Sequence, residues 1–210
     1  RSIFIDAEAT PNPHSMKFLP GKTILPETHG TGMHFNLDDR AGIKKSPLAK
    51  SLFAIDGVVG VFLGRDFISV TKKSDEVWHL MKPMIFSTIL DFFATGKNVI
   101  EEGPDVSDTA ILDTDSEVVA MIKELMETRV RPSVQEDGGD IFFMGFDEIT
   151  GIVKVKLAGS CVGCPSSSIT LRNGVERMLT HYIPEVIGIE EVVDDTPDTQ
   201  SKLEFHPDPV

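Results

Sequence analysis

Two cysteines stand three residues apart in "GSCVGCPSSS" (159–168), Cys161 and Cys164, and the 210-residue chain has no other. The thiolate is the form of cysteine that binds metal or attacks a disulfide, which leaves the pair three chemistries. As attacking and resolving thiols it would make a dithiol oxidoreductase, but such motifs lie near the start of a βαβ unit, and this one comes late in the chain. As half of a zinc site it would need two more ligands. The histidines available are His14, His29, His34, His79, His181 and His206. None has finger-type spacing from the pair, and His181 would lie about 25 Å along the following helix at the usual rise per residue. A zinc-bridged interaction module remains a third reading. As half of an iron–sulfur site the pair would need two more thiolates, which a second copy of the chain could supply.

Local elements must hold the pair. "DIFFMGFDE" and "GIVKVKLAG" flank Ile149, Thr150 and Gly151, and in the second run Val153, Val155 and Leu157 alternate with Lys154 and Lys156; this is a hairpin with one wet face. After the cysteines, Pro165 suits the first turn of a helix that runs through "SSSITLRNGVERMLTHYIPEV", with Ile169, Arg172, Val175, Met178, Leu179 and Tyr182 around its axis. The pair therefore sits between a strand end and a helix start, where unpaired N–H groups and the helix dipole favour thiolate. Gly159 flanks the pair and Gly163 lies between its members, where a loop around an inorganic core needs close backbone approach. Ahead of the hairpin, "DSEVVAMIKELMETRVRPSV" places Val118, Ile122, Leu125 and Met126 on one helical face, with Pro132 predicted to end it. "VIGIEEVV" closes as a strand, so the order is helix, strand, strand, helix, strand.

The stretch "ATGKNVIEEGPDVSDTAILDTDSE" (94–117) has no sustained apolar period and reads as a linker. Before it, "SIFI", "VVGVFL" and "FISVT" are strand-like, with Gly64 to Asp66 as a hairpin turn. "SPLAKSLFAI" offers Ser46 as N-cap and Pro47 at the first helical position. "SDEVWHLMKPMIFSTILDFFATG" is a second helix, which Pro83 either kinks or begins. The fold class is α+β: two small domains joined by a flexible linker. Their boundaries fall at 1–97, 98–114 for the linker, 115–195 for the cysteine-bearing domain, and 196–210 for an acidic tail expected to be disordered.

The charge is uneven. Residues 1–107 hold 12 Lys and Arg against 13 Asp and Glu, and residues 108–210 hold 8 against 20, a net of -12. That half repels phosphate backbones, and there is no basic stripe interleaved with aromatics, so nucleic acid is excluded as a partner. No apolar run approaches the roughly 20 residues that span a bilayer. The chain begins at Arg1 rather than Met, and an upstream segment with a targeting signal is expected to have been removed.

The pieces "EATPNPHSMKFLPG" (8–21), "RPSVQEDGGDI" (131–141), "GSCVGCPSSSITLRNGVERML" (159–179) and "IPEV" (183–186) together resemble the Nfu-type iron–sulfur cluster scaffolds, in their mitochondrial two-domain form. The resemblance covers residues 3 to 195. It implies that Cys161 and Cys164 bind the cluster, that a [4Fe-4S] cluster bridges two subunits, and that loading makes a homo-oligomer. It also implies a place in the mitochondrial matrix among upstream assembly factors and recipient apoproteins, those of lipoate synthesis and the respiratory chain among them. No turnover chemistry is implied, so the chain is not expected to be an enzyme. The first domain of the family carries no ligands, and residues 1–160 contain no cysteine.

Other residues have simpler readings. In "EDGGD", Gly138 and Gly139 are turn residues, and Glu136, Asp137 and Asp140 a solvated rim rather than a metal cluster. "TPNPHS" is a rigid turn. Met121, Met126, Met144 and Met178 are core filler. Lys154 and Lys156 form the wet face of their strand, and could meet an acidic partner.

Overall fold

The computed structural model describes residues 4–26, 32–101, 108–162 and 165–192, with only the backbone course for residues 41 and 165–169. Two sheets organise it. The first has five strands: β1 (Asp6–Ala9), β2 (Ser15–Leu19), β3 (Gly32–Asn36), β4 (Val58–Gly64) and β5 (Ile68–Lys72). Their spatial order is β1-β2-β5-β4-β3, every pair antiparallel. The helices of this domain are α1 (Arg40–Lys45), α2 (Pro47–Phe53) and α3 (Trp78–Ala94). Ser46 does cap α2, its side chain accepting from the Ala49 N–H, with Pro47 at the start where a missing N–H costs nothing. Chain 4–5, predicted as part of a strand, is irregular, and β1 begins at Asp6. The helix α3 starts before Pro83 and runs through it. Phe18, Leu25, Phe35, Leu48, Leu52, Ile68, Ile85 and Ile89 lie in one apolar core between sheet and helices.

The second sheet has three strands, β6 (Gly139–Asp147), β7 (Ile152–Gly159) and β8 (Gly188–Glu191). β6 and β7 form an antiparallel hairpin, and β8 pairs parallel to β7. A parallel neighbour requires a crossover, and α6 (Pro165–Tyr182) supplies it. The sheet is preceded by α4 (Glu117–Leu125), a π turn (Met126–Val130) and α5 (Arg131–Glu136) in unbroken succession. Pro132 therefore does not end the helix. It falls at the first positions of α5, and the wider π turn before it relieves the clash that a proline ring makes with the carbonyl four residues back. Val130, Val134, Ile141, Val155, Val175 and Leu179 pack in this domain's core. Of the four methionines predicted as core filler, Met126 is fully buried and Met178 partly so, while Met121 and Met144 are exposed.

Residues 108–115, assigned by composition to a flexible linker, are tied to the second domain. Arg131 is 2% exposed and its guanidinium bonds the carboxylates of Asp108 (2.7 Å), Asp140 (3.0 Å) and Glu127. It also donates to the Thr109 hydroxyl and to the Ile141 carbonyl. Burial works against the charge, but the fields of Asp140, Asp108 and Glu127 outweigh it and hold the guanidinium pKa above its ordinary value. Asp140 is thus no part of a solvated rim: it is fully buried, while its neighbours Glu136 and Asp137 are exposed. A guanidinium in a core demands carboxylates around it, and Asp140 is the one nearest its Nε. The predicted tail at 196–210 lies outside the described residues. Among the described residues no helix is long and apolar enough to cross a membrane.

Candidate functional site at the Cys-x-x-Cys loop

Cys161 lies two residues past the end of β7, in a turn closed by the Val162 N–H donating to the Gly159 carbonyl at 3.3 Å. Its partner Cys164 and the intervening Gly163 lie outside the described residues, and α6 begins at Pro165. The junction of strand end and helix start is formed by two crossing segments in close contact. The Ser160 N–H donates to the Gly138 carbonyl (3.3 Å), and the Ser160 hydroxyl donates to the Asp137 carbonyl (2.6 Å). Only glycine allows the approach. A Cβ on Gly159, whose φ is +66°, would sit 2.9 Å from both the Gly138 carbonyl oxygen and the Gly139 Cα. A Cβ on Gly139 would collide with Cys161 Sγ and with the Ala158 carbonyl. The second glycine of "EDGGD" is therefore more than a turn residue: it makes room for the thiol. Two adjacent glycines were the only signal of this in the sequence.

Cys161 is 4% exposed and packs within the second domain's apolar core. Beside it opens a cavity of about 510 Å³, walled by Val130, Ser133 and Val134 on one side and by Thr170, Leu171, Gly174, Val175 and Met178 of α6 on the other. Pro11 of the first domain closes one edge. A soft sulfur donor at the edge of an apolar cavity, in the loop that leads into the 18-residue helix α6, is the donor type that iron–sulfur clusters take. Among the described residues no group of three or more His, Cys, Asp or Glu side chains converges to hold a metal ion. The described part of the chain thus offers one soft ligand at this place and no histidine or carboxylate set to complete a zinc site.

The first domain reaches this loop. The Asn12 side chain, 2% exposed, donates from Nδ2 to the carbonyls of Ser160 (3.0 Å) and Val162 (3.2 Å), which flank Cys161. The Gly159 N–H donates to His34 Nδ1 at 3.2 Å. That nitrogen must then be the unprotonated one, and Nε2 carries the proton toward Asn36 Oδ1 at 2.7 Å. Ser69 donates to the Gly138 carbonyl (2.5 Å), and Lys17 to the carbonyls of Gln135 and Glu136. Phe62 and Phe67 bury Ala158 between them and Phe142. The sequence predicts "TPNPHS" as a rigid turn; its contact with the cysteine loop joins residues 148 and 150 apart and leaves no local pattern.

Comparison with known proteins agrees with this division. Residues 5–96 match the family model of the scaffold protein Nfu/NifU N-terminal domain, and residues 122–190, which include both cysteines, match that of the NifU-like domain. A Drosophila virilis protein named "NFU1 iron-sulfur cluster scaffold homolog, mitochondrial" is 51% identical over 205 residues, covering 98% of this chain and 66% of that one. The Arabidopsis thaliana "NifU-like protein 5, mitochondrial" is 50% identical over 196 residues, covering 92% of this chain and 70% of its own. The chain thus spans about two thirds of the length of the curated relatives it matches.

Proposed function

Because this chain belongs to the Nfu/NifU family of iron–sulfur cluster scaffolds, we propose that it assembles a labile [4Fe-4S] cluster on Cys161 and Cys164 and hands it to mitochondrial apoproteins. The observation that carries the reading is the placement of Cys161, a soft donor at the edge of an apolar cavity and in the loop that leads into a long helix, in a chain with only two thiols. A cubane cluster takes four cysteinates, so two chains supply two each. The cluster is cargo, and the chain does no turnover chemistry on it. A cluster shared across subunits is readily surrendered, because separating the chains removes half its ligands at once. Its net negative charge is offset by the N-terminal ends of the two α6 helices. Matrix location and delivery to lipoate-synthesis and respiratory-chain proteins follow from the same family reading.

Anaerobic reconstitution with iron and sulfide, followed by Mössbauer spectra and sedimentation, tests this. The expected product is one [4Fe-4S] cluster per two chains, with loading shifting the monomer–dimer equilibrium and dilution releasing cluster. Cys161→Ser and Cys164→Ser should each abolish uptake while leaving the apo fold intact. A full cluster on a monomeric chain, or full uptake by either variant, would overturn the assignment.

A further inference from the structure

We propose that the turn over residues 10–14 of the first domain is a clasp on the cysteine loop, and that the intersubunit cluster can be assembled only when the clasp is released. The turn is itself rigid. Its shape is fixed by the His14 N–H donating to Asn12 Oδ1 (2.9 Å), by Thr10 donating to the carbonyls of Asn12 and Ser15, and by Trp78 Nε1 donating to the Pro13 carbonyl (3.0 Å). Asn12 thereby uses its acceptor to shape the turn and both its donor hydrogens to hold the carbonyls on either side of Cys161. Pro11 beside it stands at the rim of the cavity that adjoins the thiol.

The consequence is one of loop position. A cluster ligated by two chains requires Cys161 Sγ to face a second subunit, yet Cys161 is 4% exposed, packed into the second domain's own core, and the loop must swing outward to present it. The closed clasp opposes that by holding the carbonyls on both sides of the residue. The seam is of a strength that can open: neutral hydrogen bonds from Asn12, His34 and Ser69 and two from the Lys17 ammonium, one part-buried and one exposed, each of modest net worth, and a small apolar contact around Ala158. Closed, the arrangement shields a soft thiol from oxidation and stray metal. Released, it presents the same thiol to a second copy. Asn12 is thus a positioning residue that acts through the backbone of residues 160–162. The inference rests on the cluster reading only for what the released loop is used for.

The test uses the full-length apo chain carrying Cys164→Ser, so that Cys161 is the sole thiol, and follows its alkylation by iodoacetamide at fixed pH. Asn12→Ala and Asn12→Asp are both expected to alkylate about tenfold faster than the parent, as loss of two hydrogen bonds shifts a local opening equilibrium. Asn12→Asp is the decisive variant. Its carboxylate still accepts from the His14 N–H and so keeps the turn, but it has no N–H to give and sets negative charge against two carbonyls. A merely structural role in the turn predicts the parent's rate for Asn12→Asp, and that result overturns the clasp. Should an Asn12 variant fail to give the parent's circular dichroism melt, Ser69→Ala, which loosens the same seam at the Gly138 carbonyl without touching the turn over residues 10–14, is expected to raise the rate about threefold; an unchanged rate there also overturns it. With both cysteines present, Asn12→Asp should take up iron and sulfide faster than the parent. Faster alkylation without any uptake leaves the clasp standing and removes the cluster reading; uptake by parent and variant at one rate, with unchanged alkylation, removes the clasp alone.

Discussion

The largest fully buried side chain of the first domain is a phenylalanine, Phe18, and that of the second is an arginine, Arg131. The first domain stands on a five-stranded sheet and an apolar core that runs from Ile5 to Ile100. The second has three strands and a smaller core, and completes it with an ionic hub that draws in Asp108, Glu127 and Asp140. An apolar core is held by area removed from water and tolerates repacking. A buried ion cluster is held by specific partners, and removing one strands the others. The half that bears the cysteines is therefore the half whose integrity depends on single polar residues, and its cysteine loop leans on the first domain besides.

The comparison breaks or holds most visibly at Arg131. Arg131→Leu leaves the fully buried carboxylate of Asp140 without a cation, and is expected to cost the second domain about 4 kcal/mol. The chain has one tryptophan and one tyrosine, Trp78 in the first domain and Tyr182 in the second, so Trp78 fluorescence excited at its red edge reads the first half, and Tyr182 fluorescence in a Trp78→Phe background reads the second, in paired urea titrations. The Tyr182 transition should move to lower urea while that of Trp78 holds. A cost below about 1 kcal/mol would make the hub an ornament on an apolar core.

The reciprocal change sharpens the contrast. Leu52, fully buried on α2, becomes a cavity in Leu52→Ala at about 3 kcal/mol. Here the Trp78 transition should move and the Tyr182 transition should follow weakly, through the seam of Asn12, Ser69 and Phe62. Equal movement of both probes would show that the two domains unfold as one unit, and the comparison would then be between two parts of a single core.

What the sequence disclosed follows the same divide between local and distant causes. The Ser46–Pro47 helix start, the β4–β5 and β6–β7 hairpins and the buried Ile122 and Met126 of the α4 face were legible because turn chemistry and periodicity act within a few residues. The junction holding Cys161 was legible for that reason too, as an alternating strand followed by a proline-led helix. β1 was not, since "DAEA" alternates acids only with alanine, carries no residue that favours strands, buries no face fully, and is a strand by pairing with β2. Asp140 reads as a rim residue until Arg131 is folded against it, and Pro132 reads as a stop until a π turn makes space for it. Asn12 lies 148 residues from the carbonyl it holds, so no window along the chain contains both.

The smallest expected effect lies at the second anchor of residues 108–115. Lys123 Nζ, buried, bonds the Asp115 carboxylate at 2.7 Å and the Ala110 carbonyl at 2.9 Å, while the Leu112 N–H donates to the same carboxylate at 2.8 Å. The Leu112 N–H first, and then the Lys123 hydrogen bond, hold the Asp115 carboxyl below its ordinary value of 3.8. A carboxyl lowered in the folded state binds its proton more readily when unfolded, so its contribution is complete above the ordinary value and is lost as pH falls through the folded one. The parent should therefore melt slightly above Asp115→Asn from neutral pH down to about pH 4, and the gap should close on further acidification. A gap that persists in acid would mean that Asp115 acts through packing and neutral hydrogen bonding rather than charge. The ionic character of the second domain would then be confined to Arg131 and its three carboxylates, and residues 108–115 would be anchored at one charged point instead of two.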